Sequence, residues 1–561
     1  MICILLLWLA YSPPVQPVQE RTTVPGQEHT QYKKESKVHK PKSVVSTSIA
    51  ENIKRYLERL LQQKNLSGTT DQNVLIQQLT RFYATRRYQP VWTKPAMVSE
   101  LITAVEGAAD DGLDPSDYHI NEIKEFSSQP PATSELDARY DFLLSEAFFK
   151  LANHLRFGKV DPQSLDKNWN INNTVTRTAF EYRLQHAVAA ENIAGLLKDL
   201  RPQYFRYDQL KTGLARYRAI ASAGGWPTIP EGSILKEGSI DSRILLLRKR
   251  LVASGEISAV KTDTIRVFNR KMVDAVKRFQ KSNGLDPDGV VGVSTLKVMN
   301  IPVEERIDQI RINLERYRWF INALEPTYIM VNIPDFTLQY VENGHSRWGT
   351  RVIVGQPARE TPVFKADMQN IIFNPQWVIP PTILAKDALP GIRKSTSYLT
   401  RKKLNVIDRN GNIIDPATVN WSQYTSTNFP YRLQQSSGDQ GSLGRIKFML
   451  PNKHIVYLHD TPGKELFKKS SRAFSSGCIR VENPLELAGL VLQDSIKWSR
   501  EGIKAAVDTK KTKTVSLPKR IPVYILYLTA VVDGDNILFL DDLYGRDNAV
   551  LNALNKPEPK Y

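Results

Sequence analysis

Tyr457-Leu458-His459-Asp460-Thr461-Pro462, then fifteen residues counted from Asp460 to Phe474, then Ser475-Ser476-Gly477-Cys478-Ile479-Arg480: this stretch decides the reading of the chain. His459 closes a run with strand character and Ser475–Gly477 is a small-residue turn, so a loop of this length can return Cys478 beside the imidazole. A thiol becomes a good nucleophile as thiolate, and a neighbouring imidazole can take its proton and later hand it to a leaving amine. Gly477 permits close backbone approach, which makes the backbone at Ser476, Gly477 and Cys478 the candidate oxyanion-binding element. Arg480 stays charged near neutrality and suits a substrate carboxylate. Tyr457 lies two residues before His459 and shares its strand face. On the residues alone, Cys478 is either this nucleophile or a buried structural thiol, the common fate of a lone cysteine.

Working outward, the chain around this stretch has a period of two. Tyr328–Ile333, Phe336–Val341, Arg351–Gly355, Asn370–Asn374, Ile446–Leu450 and Ile455–His459 read as strands, and Asn410-Gly411 is a hairpin signal. Residues 380–440 are long, polar and rich in Ser, Thr and Gln, which predicts an insertion or lid over a β-rich domain spanning about 325–508. Asn483-Pro484 opens a helix. The tail 509–561 returns to strand signals around Asp533-Gly534-Asp535-Asn536 and reads as a strand-rich extension that completes or flanks the sheet.

Upstream the period is 3.6. Pro302 and the stripe Ile307, Ile310, Leu314, Tyr317 mark a connecting helix within 301–324. Residues 241–300 read as a compact three-helix module, with Ile244, Leu247 and Leu251 on one stripe and Met272, Ala275, Val276 and Phe279 on another. Residues 45–235 are mostly helical and read as a scaffold. Ile53, Tyr56, Leu57 and Leu60 fall on one face, as do Leu143, Ala147, Leu151 and His154, the last a helix histidine with no second ligand at metal spacing. Residues 21–44 are a polar, partly basic linker. Residues 2–11 are an apolar run too short to span a bilayer, matching the core of an export signal or N-terminal anchor over 1–20, through which membrane association stays open. The run accordingly predicts export.

The whole-chain numbers agree with a multidomain α+β protein. At 561 residues the chain holds roughly three or four domains, and 41% hydrophobic with 24% charged residues exclude a disordered or polytopic membrane chain. Its two cysteines, Cys3 and Cys478, can build neither a disulfide framework nor a four-cysteine zinc site. Of the net charge of +18, residues 241–300 carry twelve Lys/Arg against six Asp/Glu, a basic surface suited to an anionic polymer. No aromatic-basic motif supports a nucleic-acid partner.

The constellation His459…Ser475-Ser476-Gly477-Cys478-Ile479-Arg480 resembles the YkuD-type L,D-transpeptidase catalytic family, whose motif is a His, a fixed gap, then Ser/Thr-His-Gly-Cys-hydrophobic-Asn/Arg. Asn374-Pro375-Gln376-Trp377-Val378-Ile379-Pro380 is similar as well, while Ser476 replaces the family's second His. The order Ala275-Val276, Phe279-Gln280, Gly284-Leu285, Asp288-Gly289, Gly292 and Thr295 resembles the type 1 peptidoglycan-binding domain. Most of the chain is similar to the long, periplasmic YcbB-like L,D-transpeptidases. The resemblance implies that Cys478 is acylated by a peptidoglycan tetrapeptide stem with release of its terminal D-amino acid. An acceptor amine then takes the acyl group in a 3→3 cross-link. It further implies His459 as general acid/base, Arg480, Tyr457, Ser475 and Trp377 as substrate-binding residues, a backbone carbonyl near Ser475–Gly477 orienting His459, carbapenems as inhibitors, and no metal or cofactor.

Three rivals are weighed against it. A D,D-transpeptidase needs Ser-x-x-Lys, Ser-x-Asn and Lys-Thr-Gly; Ser164–Lys167 and Lys211–Gly213 match the outer two, but no serine lies between Ser164 and Lys211. With water as acceptor, the same site becomes an L,D-carboxypeptidase or cross-link hydrolase. A non-catalytic wall-binding scaffold would not need Cys478, His459 and Arg480 together.

Overall fold

The computed structural model describes residues 43–64, 70–171, 177–259 and 266–557. The expected export signal over 1–20 and nearly all of the 21–44 linker lie outside them. Among the described residues no helix is long and apolar enough to cross a membrane.

The N-terminal part is helical, as the 3.6 period predicts. Helices Ser43–Lys64, Thr70–Ala84, Pro95–Glu106 and Ser134–Phe157 share one apolar core, in which Ile53, Leu57, Leu143, Ala147 and Leu151 are buried. Thr133 caps the long helix by accepting from the Leu136 N–H at 3.3 Å, and Gly158 ends it. His154 is buried with its Nδ1 2.9 Å from the Tyr118 hydroxyl, a satisfied core histidine.

The three-helix module is present as Arg243–Ser254, Arg270–Ser282 and Val293–Met299 around Ile244, Leu247, Leu251, Met272, Val276 and Phe279. It begins earlier than expected. Ile229 and Leu235 sit in the same core, and Leu235 bridges Val291, so residues 229–240 belong to this module and not to the scaffold that was expected to run to 235. Gln280 ties its turn together, donating to Asp288, Val290 and Thr295 and accepting from the Gly289 N–H at 2.8 Å.

The β-rich part comprises β1 Tyr328–Asn332, β2 Thr337–Glu342, β3 His345–Gly355, β4 Phe364–Phe373, β5 Trp377–Val378, β6 Leu404–Ile407, β7 Ile413–Ile414, β8 Arg432–Gln435, β9 Ile446–Met449, β10 Leu458–His459, β11 Ala473–Ser475, β12 Ile479–Val481, β13 Lys513–Leu526, β14 Ala530–Asp533 and β15 Asn536–Phe539. Nine of these form one sheet in the order β11-β3-β12-β10-β9-β4-β13-β1-β2, and because β2 also pairs with β3, eight of them close on themselves. One face of the sheet encloses Ile329, Val331, Val352, Ile371, Phe448, Leu458, Ile479 and Val523.

Three boundaries differ from expectation. β13 completes the sheet, as one of the two expectations for the tail had it, but from the interior between β4 and β1 and not as an added extension after 508: without it the ring would open. The last described element is a helix, Asp547–Asn555, which buries Val550 and Leu554 in the scaffold core. The predicted strand Ile455–His459 shrinks to β10. Ile455 adopts φ 58° and is exposed, because Asn452 holds a turn there, donating to Val456 O at 2.7 Å and accepting from the His454 N–H at 3.0 Å.

The insertion between β4 and β9 is a small folded unit. β5-β8-β6-β7 form a four-stranded sheet, with Asn410-Gly411 turning β6 into β7 as predicted. Its own core of Ile379, Leu389, Ile392, Val406, Trp421 and Leu433 explains how so polar a stretch stays ordered. The connecting helix Val303–Phe320 is buried along most of its length between the scaffold helix Phe205–Ser222 and the sheet.

Candidate active site

Three neighbouring strands of the large sheet build the site. β10 pairs in parallel with β12 and antiparallel with β9, placing His459 level with Arg480 on one side and with Lys447 on the other. Leu458 and Ile479 point into the core and are fully buried, so alternation turns Tyr457, His459, Cys478 and Arg480 to the opposite face. The sequence expectation of a shared face for Tyr457 and His459 holds, and the 460–474 loop does return Cys478 to it.

His459 is buried, and its Nδ1 donates to its neighbour Asp460 O at 2.5 Å, which leaves Nε2 as the basic nitrogen. The orienting carbonyl thus comes from residue 460, not from the 475–477 turn as expected. Burial, with the Arg480 and Lys447 charges beside it, pushes the imidazole down to about 3, so it is neutral near pH 7. The Asp460 carboxylate is engaged elsewhere, accepting from the Thr461 N–H at 2.8 Å and the Lys464 ammonium at 2.6 Å.

Cys478 is half-buried. Burial pushes its thiol up, opposed by hydrogen bonds from Tyr457 and by the Lys447 and Arg480 charges. The Tyr457 hydroxyl is raised by burial and by the sulfur, so it stays protonated and donates to Cys478; it also bonds Trp377. Trp377, on β5, packs against both the catalytic core and the insertion's core. These four predicted residues therefore form one connected group.

The turn carrying the thiol departs from expectation. Gly477 adopts φ 109°, a backbone conformation that favours glycine, and a Cβ there would stand 3.2 Å from Glu360 O. Its N–H, expected at the oxyanion, donates instead to Ser475 Oγ at 3.1 Å, and its carbonyl accepts from Thr361 Oγ1 at 2.8 Å. Ser475 is buried and its hydroxyl donates to Cys478 O at 2.5 Å, so it builds the turn and does not face a substrate. Ser476, where the family carries a His, is exposed and accepts from Arg359 at 3.0 Å; that guanidinium also pairs with Asp387 of the insertion at 2.5 Å.

Sequence reasoning missed Lys447, Thr361 and the Arg359–Asp387 pair. Lys447 was legible only as the outward residue between Ile446 and Phe448. Its ammonium lies 3.7 Å from the centroid of the Tyr457 ring, and burial pushes it down. The two D,D-type matches lie in the helical region, Ser164 in the short helix Pro162–Leu165 and Lys211 in Phe205–Ser222, where Lys211 pairs with Asp111 at 3.3 Å. A 470 Å³ cavity lined by Trp169, Trp319, Glu360 and Tyr527 includes neither Cys478 nor His459.

Residues 326–525 match the L,D-transpeptidase catalytic domain family. This chain carries an L,D-transpeptidase catalytic domain. Residues 241–299 match the family described as "Putative peptidoglycan binding domain", and residues 77–214 a family described as "Scaffold domain", so the transpeptidase domain follows two accessory domains in the order expected. A Haemophilus influenzae protein named "Putative L,D-transpeptidase" is 37% identical over 222 residues, 40% of this chain and 45% of that protein, so the chain matches less than half of the relative's length. The Bacillus licheniformis N-acetylmuramoyl-L-alanine amidase CwlL is 38% identical over 68 residues, 12% of this chain and 19% of the amidase. Two solved transpeptidase structures are 14% identical. The Ldtfm-avibactam carbamoyl enzyme covers 36% of this chain and 50% of its own, at TM-score 0.18, and the Xylanimonas cellulosilytica L,D-transpeptidase covers 53% and 99%, at 0.16; scores this low carry no weight for the fold.

Proposed function

We propose that this chain forms 3→3 cross-links in peptidoglycan through a cysteine acyl-enzyme, taking the acyl group from a tetrapeptide stem. The observation that carries this reading is the pairing of β10 with β12, which sets Cys478 and a His459 with locked Nδ1 on one face of the sheet beside a protonated Tyr457.

At rest both the thiol and the imidazole are neutral, so attack and proton transfer are coupled: Nε2 of His459 takes the thiol proton as Sγ bonds to the L-centre carbonyl carbon. The Tyr457 hydroxyl, already beside the sulfur, is a donor for the developing oxyanion. An imidazolium so depressed is a strong acid and gives its proton to the departing D-amino acid nitrogen, leaving a thioester on Cys478. An acceptor amine then attacks, His459 takes its proton, and the sulfur leaves as thiol. Carbapenems, strained acyl donors, would acylate the same sulfur. The basic 241–300 module supplies attraction to the anionic wall polymer, and the apolar start of the sequence supports export to the periplasm.

Incubation with purified tetrapeptide muropeptides and mass spectrometry of the products tests this. Cross-linked dimers are the expected product. Tripeptide alone would replace transfer by hydrolysis, and unchanged substrate would leave a wall-binding role.

A further inference from the structure

Two cations face the thiol, and among the described residues neither is in an ion pair with a carboxylate. Lys447 and Arg480 flank His459 at one level across three adjacent strands, on the face that carries Cys478. Arg480 Nε is buried and has no hydrogen-bond partner, and burial pushes both cations down. The carboxylates nearby are committed elsewhere: Asp460 to Lys464 at 2.6 Å and Glu482 to Arg351 at 2.5 Å, while Glu465, whose charge reaches Arg480, is exposed. A partly desolvated cation pair is costly unless an anion joins it.

The donor's chemistry offers such an anion. In a tetrapeptide stem, the chain ends one residue past the scissile carbonyl, so a free carboxylate lies about 3.8 Å, one residue length, from the carbon that Sγ attacks. In a longer stem that position is an uncharged amide.

We propose that Lys447 and Arg480 together clamp the free C-terminal carboxylate of the donor and thereby select stems that end one residue beyond the scissile bond. This rests on the acyl-transfer reading above and adds Lys447 as a substrate-contacting specificity residue. The ammonium supplies a point charge from β9, the guanidinium a fork from β12, and the Tyr457 ring beneath Lys447 fixes its position.

The test compares tetrapeptide donors ending in a free acid or a carboxamide, with wild type, Lys447→Gln and Lys447→Arg. Wild type is expected to favour the acid by roughly tenfold or more in kcat/KM, the scale of one charge-assisted hydrogen bond. In Lys447→Gln the acid-to-amide ratio should fall toward one, mainly through KM, and Lys447→Arg should restore it. An unchanged ratio in Lys447→Gln overturns the clamp. Protection of Cys478 from iodoacetamide by the same two peptides supplies a readout independent of turnover. Selective protection by the acid without product formation keeps the clamp and removes the transferase reading; equal protection by both peptides removes the clamp.

Discussion

At the scale of single residues, the proposed nucleophile Cys478 and the proposed base His459 are a pair of neutral partners. Cys478→Ala should abolish both cross-linking and covalent labelling by a carbapenem, and labelling that survives would place the nucleophile elsewhere. With His459 depressed to about 3, its basic form persists throughout the neutral range, so labelling of wild type should be flat between pH 5 and 8. A fall in rate centred near the ordinary histidine value of about 6.5 would contradict the buried, neutral imidazole. The same shift bears on stability. Between the unfolded and folded values the unfolded chain binds a proton that the folded one refuses, so this contribution is complete above about 6.5 and is lost as pH falls toward 3. Urea midpoints of His459→Gln should accordingly lose part of that slope. The Cys/His pair was legible because its spacing and residue types are unusual. Lys447 was not, because its place beside His459 comes from register across two strands, and no local pattern marks a lysine on the outward face of an alternating strand.

At the scale of elements, the thiol turn is held from outside itself. Thr361 Oγ1 donates to Gly477 O at 2.8 Å and accepts from the Gly355 N–H at 2.9 Å, and the Tyr544 hydroxyl bonds the Thr361 N–H at 3.1 Å and Gly355 O at 2.7 Å. Thr361→Val keeps the shape and strips both bonds of the buried hydroxyl, leaving groups that cost about 1–3 kcal/mol each when unsatisfied. The expected result is a lower melting temperature together with a larger loss of acylation rate than of stem binding, measured by thermal unfolding and by labelling kinetics. The Arg359–Asp387 pair joins this loop to the insertion, and as a partly exposed pair is worth about 0–1 kcal/mol globally. Asp387→Asn should therefore leave melting nearly unchanged while hydrogen exchange in 381–394 speeds up. The insertion was legible as a separate segment from its length and polarity, but its sheet was not, because strands as short as β5 and β7 carry too few residues for a period to show.

At the scale of the molecule, the connecting helix Val303–Phe320 joins scaffold to sheet through buried charge. Arg318 is fully buried, pairs with Glu315, and donates to Asp111 O and the Tyr207 hydroxyl, both at 2.8 Å, while Glu315 accepts from the Val160 N–H at 2.8 Å and Trp319 Nε1 at 3.0 Å. Arg318→Met leaves Glu315 buried without its partner and should destabilise by about 3–5 kcal/mol, read as a fall in the urea midpoint. The helical and β-rich halves were legible from the switch in period. The central place of β13 was not, because a strand that follows 180 residues of chain carries no local sign of which neighbours it will join. That strand and the helix Asp547–Asn555 tie residues 513–555 into both halves.

The most direct measurement is intact mass and peptide mapping after rapid acid quench of the full chain with a tetrapeptide donor. The expected result is a tripeptidyl thioester on the peptide containing Cys478, appearing before cross-linked product and absent in Cys478→Ala. Product formed without that adduct, or formed equally well by Cys478→Ala, would contradict acyl transfer through this cysteine.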